Sequence, residues 1–363
     1  MKFQLPHAML ALPTHDEDAR QSFLLTMREQ VMGPLWQGSR TTYEKKLRGN
    51  FERAQGRAPQ SRKEVQALLD ADPYYQTFSA IHRTTQEMLW DEVGDSIQRQ
   101  LPKLIKTAKS TAAQKKTRGS LTLNPKLPIP RYVEEVDIHV MPGNFQTELT
   151  QDDVYAGALY DRGVFIYGMG RRGPYGQGMG EDAVRFLKDT YPDFKPKKIL
   201  EVGCSVGHSL HAYAEGFPQA ELHGIDVGAP MLRYGHARSE AMGKKIHYSQ
   251  QDACAMDFAD GSFDLVMSHL LLHEMPVRQI RRMYREIARV LRKGGAMFEG
   301  DTVGKRSSEL IDRTMGDWYG HYNNEPFQYQ AGELDFAKEA RDAGLQPDTQ
   351  VLNSHGTRIA FKR

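Results

Sequence analysis

At 363 residues, with 39% hydrophobic and 26% charged residues, the chain is long enough for two or three domains with a sizeable core. No apolar run approaches the ~18 residues of a membrane helix, and Asp16, Glu17 and Asp18 follow the opening apolar patch too closely for a secretory leader. Two cysteines, Cys204 and Cys254, exclude a disulfide framework and a thiolate-clustered metal site, so a reducing, cytoplasmic protein with no metal is expected.

The net charge of +2 hides a local bias. Residues 96–133 carry nine Lys and Arg and no acid, which leaves the remainder net acidic. That stretch could meet phosphate or an acidic partner; a solvated helix running into a linker is the plainer reading.

In chain order, residues 1–132 read as a mainly helical domain. Ser61 and Glu64 form a capping-box signature ahead of Val65, Leu68 and Leu69. After Pro73, the positions Phe78, Ile81, Met88, Leu89, Trp90, Val93 and Ile97 predict one long packed helix. Pro125, Pro128 and Pro130 then stop any helix and mark a boundary. A connecting segment, 133–180, follows. Val133, Val136, Ile138 and Val140 suggest a strand, Thr150 and Asp153 a cap for a short helix through Tyr155 and Leu159, and Gly168–Gly180 a glycine-rich lid.

From 181 to 363 strands and helices alternate. Strands are expected at 197–203, 220–226, 245–252, 263–269 and 295–301, with two more near 349–352 and 357–362. The helix after Pro276 aligns Ile280, Met283, Ile287, Val290 and Leu291 on one face. Such alternation predicts a doubly wound, mostly parallel sheet.

Two glycine motifs compete for a ligand. Gly168, Gly170 and Gly173 match G-x-G-x-x-G literally, but Pro174 and further glycines stand where the pattern needs a helix. In Ile199–Gly216 a strand runs into a turn at Gly203 and Gly207 and a helix opens directly. A dinucleotide site would want glycines where Ser205 and His208 stand. What the turn offers instead is close backbone approach beside Glu201, a carboxylate suited to an ammonium group. Asp226 ends the next strand, placed for two ribose hydroxyls; Asp252 ends the third, where an exocyclic amine could dock; Ser268 and His269 end the fourth. Ammonium, ribose and adenine amine together describe S-adenosyl-L-methionine. For the acids a solvated strand end is the bland alternative, and for the two cysteines it is buried apolar filler.

On the motifs EVGCSVG (201–207), GIDVGAPML (224–232), QDACAMDFADGSFDLVMSHLLLHEM (251–275) and IARVLRKGGAMFEGD (287–301), residues 181–363 resemble the class I S-adenosylmethionine-dependent methyltransferases. The branch most similar is that of ubiquinone and menaquinone biosynthesis. AGALYDRG (156–163) is similar to that branch's Tyr-Asp segment, whose tyrosine, here Tyr160, helps close over the cofactor. The resemblance implies a seven-stranded Rossmann-like sheet and adds Val227, Met231 and Ala253 to a cofactor set of Tyr160, Glu201, Gly203, Ser205, Gly207, Asp226, Asp252 and Ser268. Ser205 stands where the family has a glycine. The product would be S-adenosyl-L-homocysteine.

Methyl transfer from a sulfonium needs alignment and dryness more than a base. His269 and His273 follow the fourth strand and His321 lies in the aromatic, amide-rich segment 316–327; these are the catalytic candidates, with structural histidines and a surface insert as the alternatives. The preferred function is methylation of a small molecule. An RNA or protein methyltransferase using residues 96–133, or a non-catalytic cofactor-binding protein, is the alternative. No N-P-P-Y or D-P-P-Y follows the fourth strand, against amino-methylation of adenine or glutamine. The helical N-terminal domain suits a homodimer or a substrate cap.

Overall fold

The computed structural model describes residues 3–301, 309–349 and 357–362. Helix α1 (His15–Gln30) opens on a complete capping box: the Thr14 hydroxyl accepts from Glu17 N and the Glu17 carboxylate accepts from Thr14 N at 2.7 Å. It continues into α2 (Trp36–Thr42) and α3 (Arg48–Gln55) through π-helical turns at Val31–Leu35 and Tyr43–Leu47. The first turn contains Pro34, which has no N–H to give an α-helical ladder. Helix α4 (Arg62–Asp70) starts on Ser61, but only half the expected capping box forms: Ser61 accepts from Glu64 N at 3.2 Å, while the Glu64 carboxylate turns to Gln60 N.

Helix α5 (Pro73–Gln98) is the long helix foreseen, burying Phe78, Leu89, Trp90, Val93 and Ile97 and leaving Met88 exposed. Helix α6 (Leu101–Ala112) follows. Strand β1 (Ser120–Thr122) then adds to the sheet edge, pairing parallel with β4 (His247–Gln250). A Cβ on Gly119 would lie 1.9 Å from the Ile246 carbonyl oxygen, so only glycine lets these backbones meet. Gly119→Ala is expected to cost about 1–3 kcal/mol and to speed amide exchange across residues 247–250, measured by mass spectrometry.

Residues 133–140 do not form the expected strand. They make helix α7 (Arg131–Glu134) and a 3-10 turn, Ile138–Val140, with φ of +56° at His139 and +61° at Val140. Buried Asn144 donates to the carbonyls of Val133 (2.7 Å) and Val136 (2.9 Å), taking up acceptors that a strand would offer its neighbour. Helix α8 (Tyr155–Tyr167) is longer than foreseen and starts where Asp153 accepts from Val154 N and Tyr155 N. A helix also opens inside the glycine run: α9 spans Gly178–Thr190. The loop before it is tied down by Leu5 N to the Pro174 carbonyl (3.0 Å) and Arg238 Nη2 to the Tyr175 carbonyl (2.7 Å).

The remaining strands are β2 (Lys198–Val202), β3 (Glu221–Asp226), β5 (Phe263–His269), β6 (Leu291–Gly300), β7 (Gln346–Pro347) and β8 (Thr357–Phe361). Helices α10 (His208–Gly216), α11 (Ala229–Ala241) and α12 (Val277–Val290) connect the parallel strands. The sheet order is β1-β4-β3-β2-β5-β6-β8-β7, parallel except for β8 against β6 and β7. It is doubly wound as expected, with eight strands among the described residues rather than seven, because residues 120–122 add one. The strand expected near 349–352 falls almost wholly outside the described residues.

The central strand β5 is buried along its length: it reads Phe-Asp-Leu-Val-Met-Ser with all six residues inside. The N-terminal helices share cores with the sheet and the C-terminal helices. Met9, Leu24, Leu89 and Trp90 pack with Val206, Met231 and Tyr234. Val31, Tyr43 and Phe78 pack with Ile311, Met315 and Trp318 of α13 (Leu310–Gly316) and α14 (Trp318–Tyr322). No helix among the described residues is long and apolar enough to cross a membrane.

Candidate functional site

The carboxyl ends of β2 to β5 open into a cleft enclosing about 1050 Å³ with its mouth included. The turn after β2 sets its floor. Gly203 (φ +65°) and Gly207 (φ +77°) are both left-handed, and a Cβ would lie 2.7 Å from Leu271 Cδ1 at the first and 2.0 Å from Tyr248 Oη at the second. Ser205, where the family has glycine, is itself left-handed at φ +46°, and its N–H donates to Asp226 Oδ2 at 2.9 Å. Asp226 Oδ1 accepts from Gly228 N at 2.8 Å. Burial raises the Asp226 carboxyl to about 6 despite these two bonds.

Glu201 is buried beside the turn. Its Oε1 lies 3.0 Å from His269 Nδ1, and burial lifts its carboxyl above the ordinary range while His269 opposes the rise. Its other oxygen, Oε2, has no hydrogen-bond partner, and neither has His269 Nε2. An unpartnered, buried carboxylate oxygen on the cleft wall calls for a donor, preferably charged.

Of the residues expected to bind a cofactor, Tyr160, Glu201, Gly203, Ser205, Asp226, Val227, Asp252 and Ala253 line this cleft, with His269. Gly207 shapes the turn without facing the cleft. Met231 is buried in the α8–α11 core, and the Ser268 hydroxyl is spent on Glu299. His321 is exposed and lines neither this cleft nor the next. Tyr132, Phe145, Arg172, Met179 and His208 line it too and were missed. Arg172 and Met179 belong to the glycine-rich segment and its helix.

Tyr160 stacks on His208 at a ring separation of 5.9 Å. The next residue, Asp161, is a buried hub. It receives His7 Nε2 (2.9 Å), His208 Nε2 (2.8 Å), Tyr234 Oη (2.8 Å) and Gln4 Nε2 (3.0 Å), with Arg238 Nε 3.4 Å away.

A second cavity, enclosing about 860 Å³ with its mouth included, adjoins the first and shares Phe145, Tyr160, Arg172, Leu270 and Glu274 with it. Trp90, His139, Tyr167, His273, Tyr319 and Glu325 complete much of its wall. The segment 316–327 thus does two things. Trp318 is buried and stacks on His82 of α5 at 3.8 Å, while Tyr319 and Glu325 face the cavity. Burial would lower the His139 and His273 rings, but Glu325 and Glu274 carry the first up to about 10, and Asp301 and Glu274 carry the second up to about 9.

Residues 199–295 match a family described as a methyltransferase domain. The chain is similar to a malonyl-[acyl-carrier protein] O-methyltransferase of Legionella pneumophila, 25% identical over 47% of this chain and 58% of that protein. It is also similar to a demethylmenaquinone methyltransferase of Thermus thermophilus, 31% identical over 28% of this chain and 46% of the other. Among solved structures it resembles phosphoethanolamine N-methyltransferase 2 of Haemonchus contortus, 23% identical, with a TM-score of 0.38 over 51% of this chain and 41% of that one. The chain spans about half the length of the curated relatives it matches. With the strand order, the Gly203–Gly207 turn and the carboxylates at the strand ends, this match identifies the domain around residues 199–295 as a class I S-adenosylmethionine-dependent methyltransferase domain.

Proposed function

We propose that the chain methylates a small molecule held in the second cavity, using S-adenosyl-L-methionine in the first and releasing S-adenosyl-L-homocysteine. The observation that carries this reading is that the two cavities adjoin, with Phe145, Tyr160, Arg172, Leu270 and Glu274 lining both. The residues present fit the cofactor. Glu201 Oε2 would accept from its ammonium group, Asp226 from the ribose hydroxyls and Asp252 from the adenine amine, with Val227 and Ala253 against the ring and Gly203 allowing close approach. When bound, the cofactor supplies a methyl group already activated by the sulfonium.

The protein's own work is then positioning and exclusion of water. Tyr160 and Phe145 line both cavities, and Arg172 and Glu274, which also line both, offer opposite charges to orient a polar acceptor. His269 stays with Glu201, so its part is to hold that carboxylate. His273 lies in the acceptor cavity and is the histidine placed to meet the substrate. Part of the charge of the basic stretch is met by the chain's own acids: Arg99 pairs with Glu17, Lys109 with Asp152 and Arg131 with Glu135. The same reading places the protein in the cytoplasm, with the N-terminal helices as cap; sedimentation would show whether they also join two copies.

The test is transfer of a labelled methyl group into a cell extract divided by a size filter. Label among small molecules is expected; label retained with macromolecules would overturn the acceptor class. For the cofactor, Asp226→Ala should weaken binding by about tenfold, near 1.4 kcal/mol. Only the ionised carboxylate accepts from two hydroxyls, so affinity should rise with pH through about 6 and level off above it. Asp226→Asn should flatten that profile in calorimetric titrations at pH 5 and pH 8.

A further inference from the structure

We propose that His139, His273 and Glu325 form a binding site for a divalent transition-metal ion in the second cavity. One ligand atom from each lies within 4.8 Å of the other two. Two histidines and one carboxylate are a donor set for borderline ions such as Fe²⁺, Mn²⁺, Co²⁺ or Zn²⁺, and three protein ligands leave positions open for substrate.

The hydrogen bonds around the three residues settle which atoms face the ion. His139 Nε2 lies 3.1 Å from Glu274 Oε1, and His273 Nδ1 lies 2.9 Å from Asp301 Oδ1. Each ring therefore spends one nitrogen on a carboxylate, the arrangement that fixes the tautomer of metal-binding histidines. His139 Nδ1 and His273 Nε2 remain. Glu325 Oε1 is held in turn by Asn323 Nδ2 at 2.7 Å, and Asn323 is buried. His139 Nδ1 and Glu325 Oε1 form an ion pair at 2.7 Å. A cation that displaces the proton between them would find the two atoms placed as its neighbouring ligands are; at about 2.1 Å from the ion, ligands at right angles sit about 3 Å apart. His139 is also held at φ +56°, a backbone state uncommon for a residue other than glycine and frequent at ligand clamps.

The ion would sit among walls shared with the cofactor cleft, so the acceptor class narrows to molecules that present an oxygen ligand, such as a carboxylate, enolate or hydroxyl, beside the atom that is methylated. The ion's part is that of a Lewis acid, orienting this oxygen and stabilising its anionic form. This narrowing rests on the methyl-transfer reading; the metal site does not.

The test reads the ion directly. Chelator-treated full-length protein is titrated with Co²⁺, followed by visible absorption, and with Mn²⁺, followed by electron paramagnetic resonance. One ion per chain is expected. Glu325→Gln and His273→Gln should lose binding, and Asn323→Ala should weaken it by about 10- to 100-fold. Retained S-adenosylmethionine affinity in Glu325→Gln shows that the variant is folded and separates this result from any failure of the methyl-transfer reading. Absence of stoichiometric binding by the wild type, or Glu325→Gln and Asn323→Ala binding as the wild type does, would overturn the site.

Discussion

Replacing Asp161 with Ala is expected to destabilise the protein by about 3–5 kcal/mol, the cost of leaving a buried cation without its counter-charge. Arg238 is fully buried 3.4 Å from that carboxylate, and His7, His208, Tyr234 and Gln4 all direct hydrogens at it. The hub ties the N-terminal segment, α8, α10 and α11 together, so the loss should appear in equilibrium unfolding by guanidinium as a lower midpoint. Asp161→Asn, which keeps the volume and part of the hydrogen bonding, should fall between. Burial alone would raise this carboxyl, but Arg238, His208 and His7 hold it well below its ordinary value of 3.8. A depressed acid stabilises the fold above its unfolded pKa. That contribution should therefore be complete above about pH 4 and disappear as pH falls further. A wild-type midpoint in Asp161→Ala would show that the hub contributes nothing net.

The second large effect falls on binding. Glu201→Gln should weaken S-adenosylmethionine by about a hundredfold, near 2.7 kcal/mol, because the neutral amide offers the ammonium no charge. The variant should fold normally. Burial already raises the Glu201 carboxyl, so its ionised form costs stability as pH rises, and a neutral isostere removes that cost. Calorimetry against the cofactor, paired with a thermal melt, separates the two effects. Unchanged affinity would remove Glu201 from the site.

The cleft at the strand ends was readable in the sequence because its signals are local. Glu201 to Gly207 and Asp226 each lie at the end of an apolar strand, and a doubly wound sheet puts such ends at one edge. Ser268 failed the same logic: its strand position was right, but alternation turned its side chain to Glu299 inside the fold. The second cavity had no local signal. His139 comes from a turn that reads as a strand, His273 from the turn after β5 and Glu325 from between short C-terminal helices, and only tertiary packing brings them within 4.8 Å. Asp161 was hidden differently, since one acid in an apolar helix shows nothing of the four partners and the cation that surround it. The N-terminal helices read correctly as helices, but their apolar faces do not say which residues cover them, and Trp318 could not have been named as the partner of His82.

The edge strand β1 has a consequence for how the chain is made. Ser120 and its partner His247 are 127 positions apart. A ribosome adding about 5–20 residues per second releases the first roughly 6–25 s before the second. Throughout that interval the nascent helices are outside without the completed sheet, and the apolar faces of Val31 and Phe78 wait longer still, for Trp318. Translation speed and the holding chaperones at the exit tunnel therefore bear on the yield of this protein more than they would on one whose first hundred residues complete their own core.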